Sequence, residues 1–348
     1  SIHNWRTVRQ LHGTAPTFAR LAESLGREQK LEEALEPLDF ALRLAPGEPR
    51  YLALKGKFLL GLLRIEEAQA AIREAQQRGS PDPQLRGDLE MCGRLLEGRR
   101  PDGTIPSELL TDLYRMLVQA DRPGEALAVF ARMREQREKL LAFWRERLDE
   151  SGIQGDLEQE ADGHLRLSVT NQGIRDLSAL AGMPLVSLRL GRGGNSFTNL
   201  SPLRGMPLKE LSLCDAPVSD LRPLTGMPLV NLHCWGARYI SDLTPLHGMR
   251  LHTLSLHRAA VTDLAPLQGM PIRLLDLSET KVCDFSPLSG SAVQNLELDG
   301  TPFTNLLQLA ALPLGKLDLS GTDIRDISPL GELPLQVLYL NDTDVSDL

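Results

Sequence analysis

From about His164 onward the chain repeats a 21-residue unit, and this leaves it little choice of architecture. The unit reads PLKELSLCDAPVSDLRPLTGM from Pro207, PIRLLDLSETKVCDFSPLSGS from Pro271 and PLGKLDLSGTDIRDISPLGEL from Pro313. Repeats start at His164, Leu185, Leu208, Leu229, Leu251, Ile272, Val293, Leu314 and Leu335. The spacing is 21 throughout, except for 23 after Leu185 and 22 after Leu229. A unit this short cannot bury its own apolar side, so the coils, about nine of them, must stack into a solenoid. Solenoids rarely enclose a reaction; they present one long surface to a partner.

Each coil opens with a short strand pattern whose apolar residues point inward. In the coil at Leu314 these are Leu314, Leu317 and Leu319, followed by Ile324, Ile327 and Leu330. Burying one such side chain stabilises by about 1.5–3 kcal/mol, but only when a neighbouring coil covers it. A Pro-Leu pair recurs at 202–203, 223–224, 245–246, 266–267, 287–288 and 329–330. Ser or Thr often precedes it (Ser201, Thr244, Ser286, Ser328), which reads as a helix N-cap with Pro at the first helical position. One helical turn per coil, ending near Gly-Met, is expected on the side opposite the strands. Asp or Asn recurs at Asp176, Asn199, Asp220, Asp242, Asp263, Asp284, Asn305, Asp326 and Asp347. This periodic placement predicts side chains that accept bonds from loop amides. Calcium is the other reading, although no coil has the dense Asp spacing of a calcium loop.

The Leu, Pro-Leu and Asp-Leu positions resemble the leucine-rich repeat family, of the short bacterial kind, over about 185 residues. The resemblance implies a horseshoe with a parallel sheet on its concave face. The chain departs from the family where the Asn after the strand is replaced by Thr280, Thr301, Thr322 and Thr343.

Residues 14–149 read as helices. Phe18, Leu21, Ala22 and Leu25 precede Ala34, with Leu38, Ala41 and Pro46 after it; Leu52, Gly56 and Leu59 precede Ala68, with Ile72 and Ala75 after it. Ala34 and Ala68 lie 34 residues apart. These spacings resemble tetratricopeptide repeats, in which small residues let paired helices approach closely. A looser copy holds Tyr114, Leu117, Ala126 and Phe130, beyond a helix near Pro83–Leu96 and the breaker GRRPDGTIP. Such hairpins imply either a peptide groove or a helical spacer capping the solenoid. Glu135–Glu150 reads as an amphipathic helix, with Trp144 packed at the junction of the halves rather than free for a ligand. The expected organisation is therefore α plus an α/β solenoid: helical hairpins over 1–150, a linker or cap over 151–163, and the solenoid over 164–348.

Of 38 basic and 46 acidic residues, 24 of each fall in 1–150, leaving 14 and 22 for the rest. The whole net charge of −8 thus belongs to the repeats, against nucleic-acid binding, which needs a basic stripe. No apolar run is long enough to span a membrane. Cys92, Cys214, Cys234 and Cys283 form no CxxC pair. By register Cys214 faces outward and Cys234 replaces a core leucine, so a disulfide between them is not expected. A reduced, cytoplasmic setting follows. The chain opens on Ser1 with no signal-peptide pattern and closes mid-repeat, as expected of a piece of a longer protein.

Strand residues pointing away from the core form the concave face. Its middle row should be Ser168, Arg189, Ser212, His233, Ser255, Asp276, Glu297, Asp318 and Tyr339. The row beside it should be Thr170, Gly191, Cys214, Trp235, His257, Ser278, Asp299, Ser320 and Asn341. Arg189, His233, Trp235, His257 and Arg258 then gather in the early-middle coils, and Asp276, Glu297, Asp299 and Asp318 form an acidic patch further on. The irregular coils GRGGNSF and CWGARYI add loops carrying Arg192, Arg238 and Tyr239 beside the cluster. Trp with His and Arg suits an interface anchor; the plainer reading has Trp235 packed on its neighbours. Zinc on Cys214, His233 and His257 would lack a fourth ligand.

The expected partner is a protein or peptide, with no cofactor, no metal, no membrane and no small-molecule substrate. A spacer or self-association module is the alternative. An enzyme would have only His233 with Asp215 or Asp276 to offer, on an open sheet that excludes little water. The pairing of such helices with repeats ending Gly-Met-Pro-Leu resembles the region after the kinase domain in planctomycete-type Ser/Thr kinases. That implies the targeting or regulatory part of a bacterial signalling protein. The chain itself has no HRD, no DFG and no glycine-rich phosphate loop.

Overall fold

The computed structural model describes residues 14–28, 30–133, 139–161, 163–191 and 193–346. Two compact units result: one runs to Trp144 and includes Ala181–Pro184, and the other holds Arg145–Leu180 and the chain from Leu185.

The first unit is helical: α1 (Ala15–Arg27), α2 (Leu31–Leu44), α3 (Pro49–Gly61), α4 (Ile65–Gln77), α5 (Leu85–Glu97), α6 (Ser107–Gln119) and α7 (Pro123–Arg132). A further helix, α8 (Lys139–Ser151), spans the boundary between the two sets of residues. α1 pairs with α2, α3 with α4, and α6 with α7. Ala22, Ala34 and Ala68 are fully buried where the paired helices meet. At Gly56 a Cβ would come within 2.5 Å of Ile72, so only glycine allows that approach.

α7 folds back against α1 and α3. Gly124 lies so close to the carbonyl of Gly26 that no Cβ fits between them, and a Cβ at Gly61 would meet Glu125 and Leu31 at 2.9 Å. Arg122, 6% exposed, bonds Asp88 at 2.5 Å, Glu125 at 3.2 Å and the Lys57 carbonyl at 3.3 Å. α7 thereby lies against part of the first-helix surface, while Glu23 of α1 and Arg50, Ala53, Leu54 and Lys57 of α3 line an open pocket with Ser80, Pro81 and Asp82. Trp144 is fully buried and donates its indole N–H to Tyr114 Oη at 3.1 Å; Tyr114 in turn donates to the Gly182 carbonyl at 2.9 Å.

The second unit is one sheet in sequence order: β1 (Gly155–Gln159), β2 (Leu165–Val169), β3 (Leu185–Leu190), β4 (Glu210–Leu213), β5 (Asn231–His233), β6 (Thr253–Ser255), β7 (Leu274–Asp276), β8 (Asn295–Glu297), β9 (Lys316–Asp318) and β10 (Val337–Tyr339). β2 to β10 pair in parallel, whereas β1 runs antiparallel to β2. The stretch between the halves thus contains a strand that occupies the edge β2 would otherwise leave open. Leu314, Leu317, Leu319, Ile324 and Leu330 are buried, and Phe285 packs edge-on against Phe303 in the same core, 4.5 Å apart.

A short 3₁₀ turn follows each of β2 to β9, among them Ser201–Leu203, Thr244–Leu246, Ser286–Leu288 and Ser328–Leu330. The cap expected of Ser or Thr is not what holds them. The flanking position is Leu200, Leu243, Phe285 or Ile327, without a side-chain bond. The amide opening each turn is instead bound by the Asp or Asn two residues earlier: Ser201 by Asn199 at 2.9 Å, Thr244 by Asp242 at 2.8 Å, Ser286 by Asp284 and Ser328 by Asp326, both at 2.9 Å. Asp176, Asp220 and Asp263 bind the amide two residues on in the same way, so these seven side chains are structural; Asn305 makes no such bond, and Asp347 lies outside the described residues. The Thr substitutions also have a role. Thr280, Thr301, Thr322 and Thr343 each donate to the carbonyl three residues back, at 2.6, 2.8, 2.6 and 2.8 Å. A hydroxyl thereby satisfies a strand-end acceptor within its own coil, where a ladder of Asn side chains would run between coils.

Candidate interaction surface

Parallel pairing sets the outward rows of the sheet. Ser168 pairs with Arg189, Arg189 with Ser212, and the row continues through His233, Ser255, Asp276, Glu297 and Asp318 to Tyr339. Backbone bonds extend the ladder beyond the strands: Asp215 N–H to Trp235 O, Gly236 to His257, Arg258 to Ser278 and Glu279 to Asp299. These bonds align Trp235 and His257 on neighbouring coils.

Their rings stack, with centroids 4.9 Å apart and planes 4° from parallel. The Arg258 guanidinium stands 5.8 Å from the Trp235 ring centroid. Glu279 receives both Arg258 Nε at 2.7 Å and Nη2 at 2.8 Å, and its other contact is His257 Nε2 at 3.5 Å. The hydrogen bonds from Arg258 hold the Glu279 carboxyl below the usual carboxylate range. Trp235, His257, Arg258 and Glu279 therefore form one connected cluster. Trp235 is half-buried rather than the fully exposed anchor its composition suggested, because His257 covers one of its sides.

Glu279 was not among the residues expected at the site. A signal for it exists at the residue after each outward Trp235-type position. The ladder aligns Asp215, Gly236, Arg258, Glu279, Gly300 and Gly321 there, each with positive φ. Glycine is the ordinary choice for that backbone and aspartate, at Asp215 and Asp342, tolerates it, so Arg258 and Glu279 are the long side chains kept there against a conformational cost. The Asp215 carboxylate lies over Gly236, where a Cβ would collide with it.

Other expected residues go elsewhere. Arg189 is tied to Glu210, Nε to Oε1 at 2.9 Å, and Ser187 donates to the same carboxylate at 3.0 Å. His233 sits half-buried in the middle row between Ser212 and Ser255. Arg238 and Tyr239 are exposed on their loop, Tyr239 at 63%. Arg192 lies outside the described residues. In the same loop Asn195 and Phe197 are buried, and Asn195 binds the Ile174 amide at 3.2 Å and the Gly191 carbonyl at 3.0 Å. Part of that insertion thus serves packing.

The acidic patch is uneven. Asp276, expected as an open carboxylate, is only 8% exposed and is bonded by Ser255 Oγ at 2.7 Å and the Ser278 amide at 3.0 Å. Glu297 pairs with Lys316 at 2.9 Å, and Lys316 also stands 5.5 Å from the Tyr339 ring centroid. Asp318 accepts the Ser320 amide at 2.9 Å. Burial first, and then the charges of Asp318 and Glu279, push the Asp299 carboxyl above its ordinary value.

All four cysteines are free. Burial raises the Cys234 thiol to about 12, which removes it from thiolate chemistry, and Cys214 lies 3.2 Å from Ser212 Oγ. Among the described residues no three His, Cys, Asp or Glu side chains are grouped to hold a metal ion, and no helix is long and apolar enough to cross a membrane.

The second unit has the leucine-rich repeat fold. Its period, parallel ladder and one turn per coil decide this. No protein-family model matches the chain, and neither does any curated protein. Among solved structures it is similar to an internalin (inlC2) from Listeria monocytogenes at 27% identity, with TM-score 0.49, covering 57% of this chain and 92% of that one. An internalin (inlF) from the same species is similar at 24% identity and TM-score 0.42; the match covers 51% of this chain and 60% of that one. A plant peptide hormone receptor, RGFR1, in complex with RGF2, is similar at 18% identity and TM-score 0.38, over 49% of this chain and 34% of that one.

Proposed function

We propose that the second unit is a non-enzymatic module that binds a protein or peptide on the outward face of its sheet. The observation that supports this is the cluster of Trp235, His257, Arg258 and Glu279. Two aromatic rings are stacked in place and a paired guanidinium and carboxylate stand beside them, on backbone positions that cost free energy to hold. Preordered side chains of this kind lose little freedom when a partner docks. The helical unit is taken as a support, in which α7 packs against α1 and α3. In the parent protein the pair of units acts as the targeting or regulatory part of a bacterial signalling protein, as the sequence resemblance suggests.

The test is affinity capture from source-cell lysate with wild type and Trp235→Ala/His257→Ala side by side, after circular dichroism shows that both fold. A protein held by wild type and lost by the variant supports the reading. Equal capture by both moves the site off this face, and empty lanes for both favour a spacer. A defined oligomer of the pure chain by light scattering would favour self-association instead.

A further inference from the structure

Downstream of the aromatic stack the same sheet face carries carboxylates that its own cations do not neutralise. Glu279 is matched by Arg258 and Glu297 by Lys316. Asp299, Asp318 and Asp342 have no cation within ion-pair distance among the described residues. The charges of Asp318, Glu279 and Asp342 all act against ionisation of Asp299. Beyond the longer-range attraction of His257 for Asp299 and of Lys316 for Asp318, these like charges stand together without a paired cation, and a cation seated among them would relieve the repulsion. The net charge of −8, all of it in 151–348, acts in the same direction at longer range.

Strand spacing turns this into a pattern. Successive rungs of the sheet are about 4.8 Å apart, so Asp299 and Asp342, on coils two rungs apart, are separated by roughly 10 Å along the solenoid. A polyproline II segment rises about 3.1 Å per residue with three residues per turn, so it covers about the same distance in three residues and brings the side chains at its two ends to one side. We infer that the face from Trp235 to Asp342 takes a polyproline-II-like segment of a partner protein that crosses the strands, with two lysine or arginine side chains three residues apart. The first of these cations meets Asp299 and Asp318, and the second meets Asp342. This inference rests on the binding reading above and adds the chemistry of the partner.

The test is selection from a phage-displayed library of random dodecapeptides on the immobilised whole chain, run on wild type, Trp235→Ala and Asp299→Asn/Asp318→Asn. Expected on wild type is enrichment of net-positive peptides with Lys or Arg three residues apart. The Asp299→Asn/Asp318→Asn chain should bind a selected peptide roughly tenfold more weakly. Raising the salt concentration should weaken binding to wild type and leave the variant less affected. Neutral or acidic peptides that are lost on Trp235→Ala would overturn the basic-segment inference while leaving the face as the binding site. Basic peptides held equally by wild type and both variants would overturn both readings, as would no enrichment on any chain.

Discussion

Arg258 and Glu279 join neighbouring coils through two hydrogen bonds of 2.7 and 2.8 Å, and both do so from left-handed backbone, φ +63° and +55°. The aligned positions on nearby coils are Asp215, Gly236, Gly300, Gly321 and Asp342; glycine adopts such a φ freely and aspartate tolerates it, unlike a long side chain. A side chain at such a φ costs about 1–2 kcal/mol, and an exposed ion pair returns at most about 1 kcal/mol. The pair is therefore not there for stability. Glu279→Gly should leave urea stability within about 1 kcal/mol of wild type, because relief of the backbone offsets the lost pair. It should abolish partner capture. A clear loss of stability with capture intact would show that the pair serves the fold.

Thr301 gives a separate prediction, about the fold alone. Its buried hydroxyl donates to the Leu298 carbonyl at 2.8 Å, inside a coil whose strand-end acceptors have no water to turn to. Thr301→Val keeps the shape and removes the hydroxyl donor, leaving the carbonyl only the Thr301 amide, which donates to it at 3.1 Å. The expected cost is that of one net hydrogen bond, about 0.5–1.5 kcal/mol, read as a lower urea midpoint at unchanged m-value. Thr301→Ser, which keeps the hydroxyl, should recover most of it. A Val variant as stable as wild type would mean that the bond contributes nothing net.

The outward rows were legible because period 2 along a strand and period 21 along the chain leave one register in which the repeated Leu positions of the inner coils are buried. Asp242 and Thr322 could be placed for the same reason, although the sequence led to Ser as the cap where Asp242 and its equivalents bind the amide. Both are local acceptors two or three residues apart, and which of them wins depends on the curl of the loop. Glu279 escaped notice because its importance lies in the φ of its backbone and in Arg258 one coil earlier. The reading of Asp276 as an open carboxylate failed because Ser255 and the Ser278 amide enclose it. The seating of α7 depends on Gly26 and Gly124, almost 100 residues apart, and no short-range pattern announces such a contact.

Arg122 tests that seating. Its guanidinium is the counter-charge to Asp88, whose carboxyl burial has already pushed above its ordinary value. Arg122→Met leaves a buried carboxylate without compensation, at an expected cost of about 3–5 kcal/mol. The triple variant Arg122→Met/Asp88→Leu/Glu125→Leu should recover most of that loss, since apolar side chains then replace all three charges of the cluster. Hydrogen exchange of the α7 amides would follow both. If the single variant protects α7 as well as wild type does, the ion cluster is not what holds the helix.

Acidification should act on the solenoid in two stages of opposite sign. The carboxyls of Asp176, Asp242 and Asp326 lie below the ordinary range because the Ser or Thr two residues on bonds them through its hydroxyl and then its amide; Arg222 does the same for Asp220. A lowered folded-state pKa adds stability that is complete above the unfolded value, about 3.9, and is lost as pH falls through the folded one. Asp299 has the reverse sign. Its raised pKa opposes folding at neutral pH, and protonation removes that cost first. The solenoid transition in calorimetric scans should thus stay level or rise slightly from pH 7 to about 5 and fall steeply below about 4. Asp299→Asn should lift the neutral-pH transition and flatten the early part of the profile. A steady decline starting at pH 7 would mean that neither the capping aspartates nor Asp299 governs acid stability.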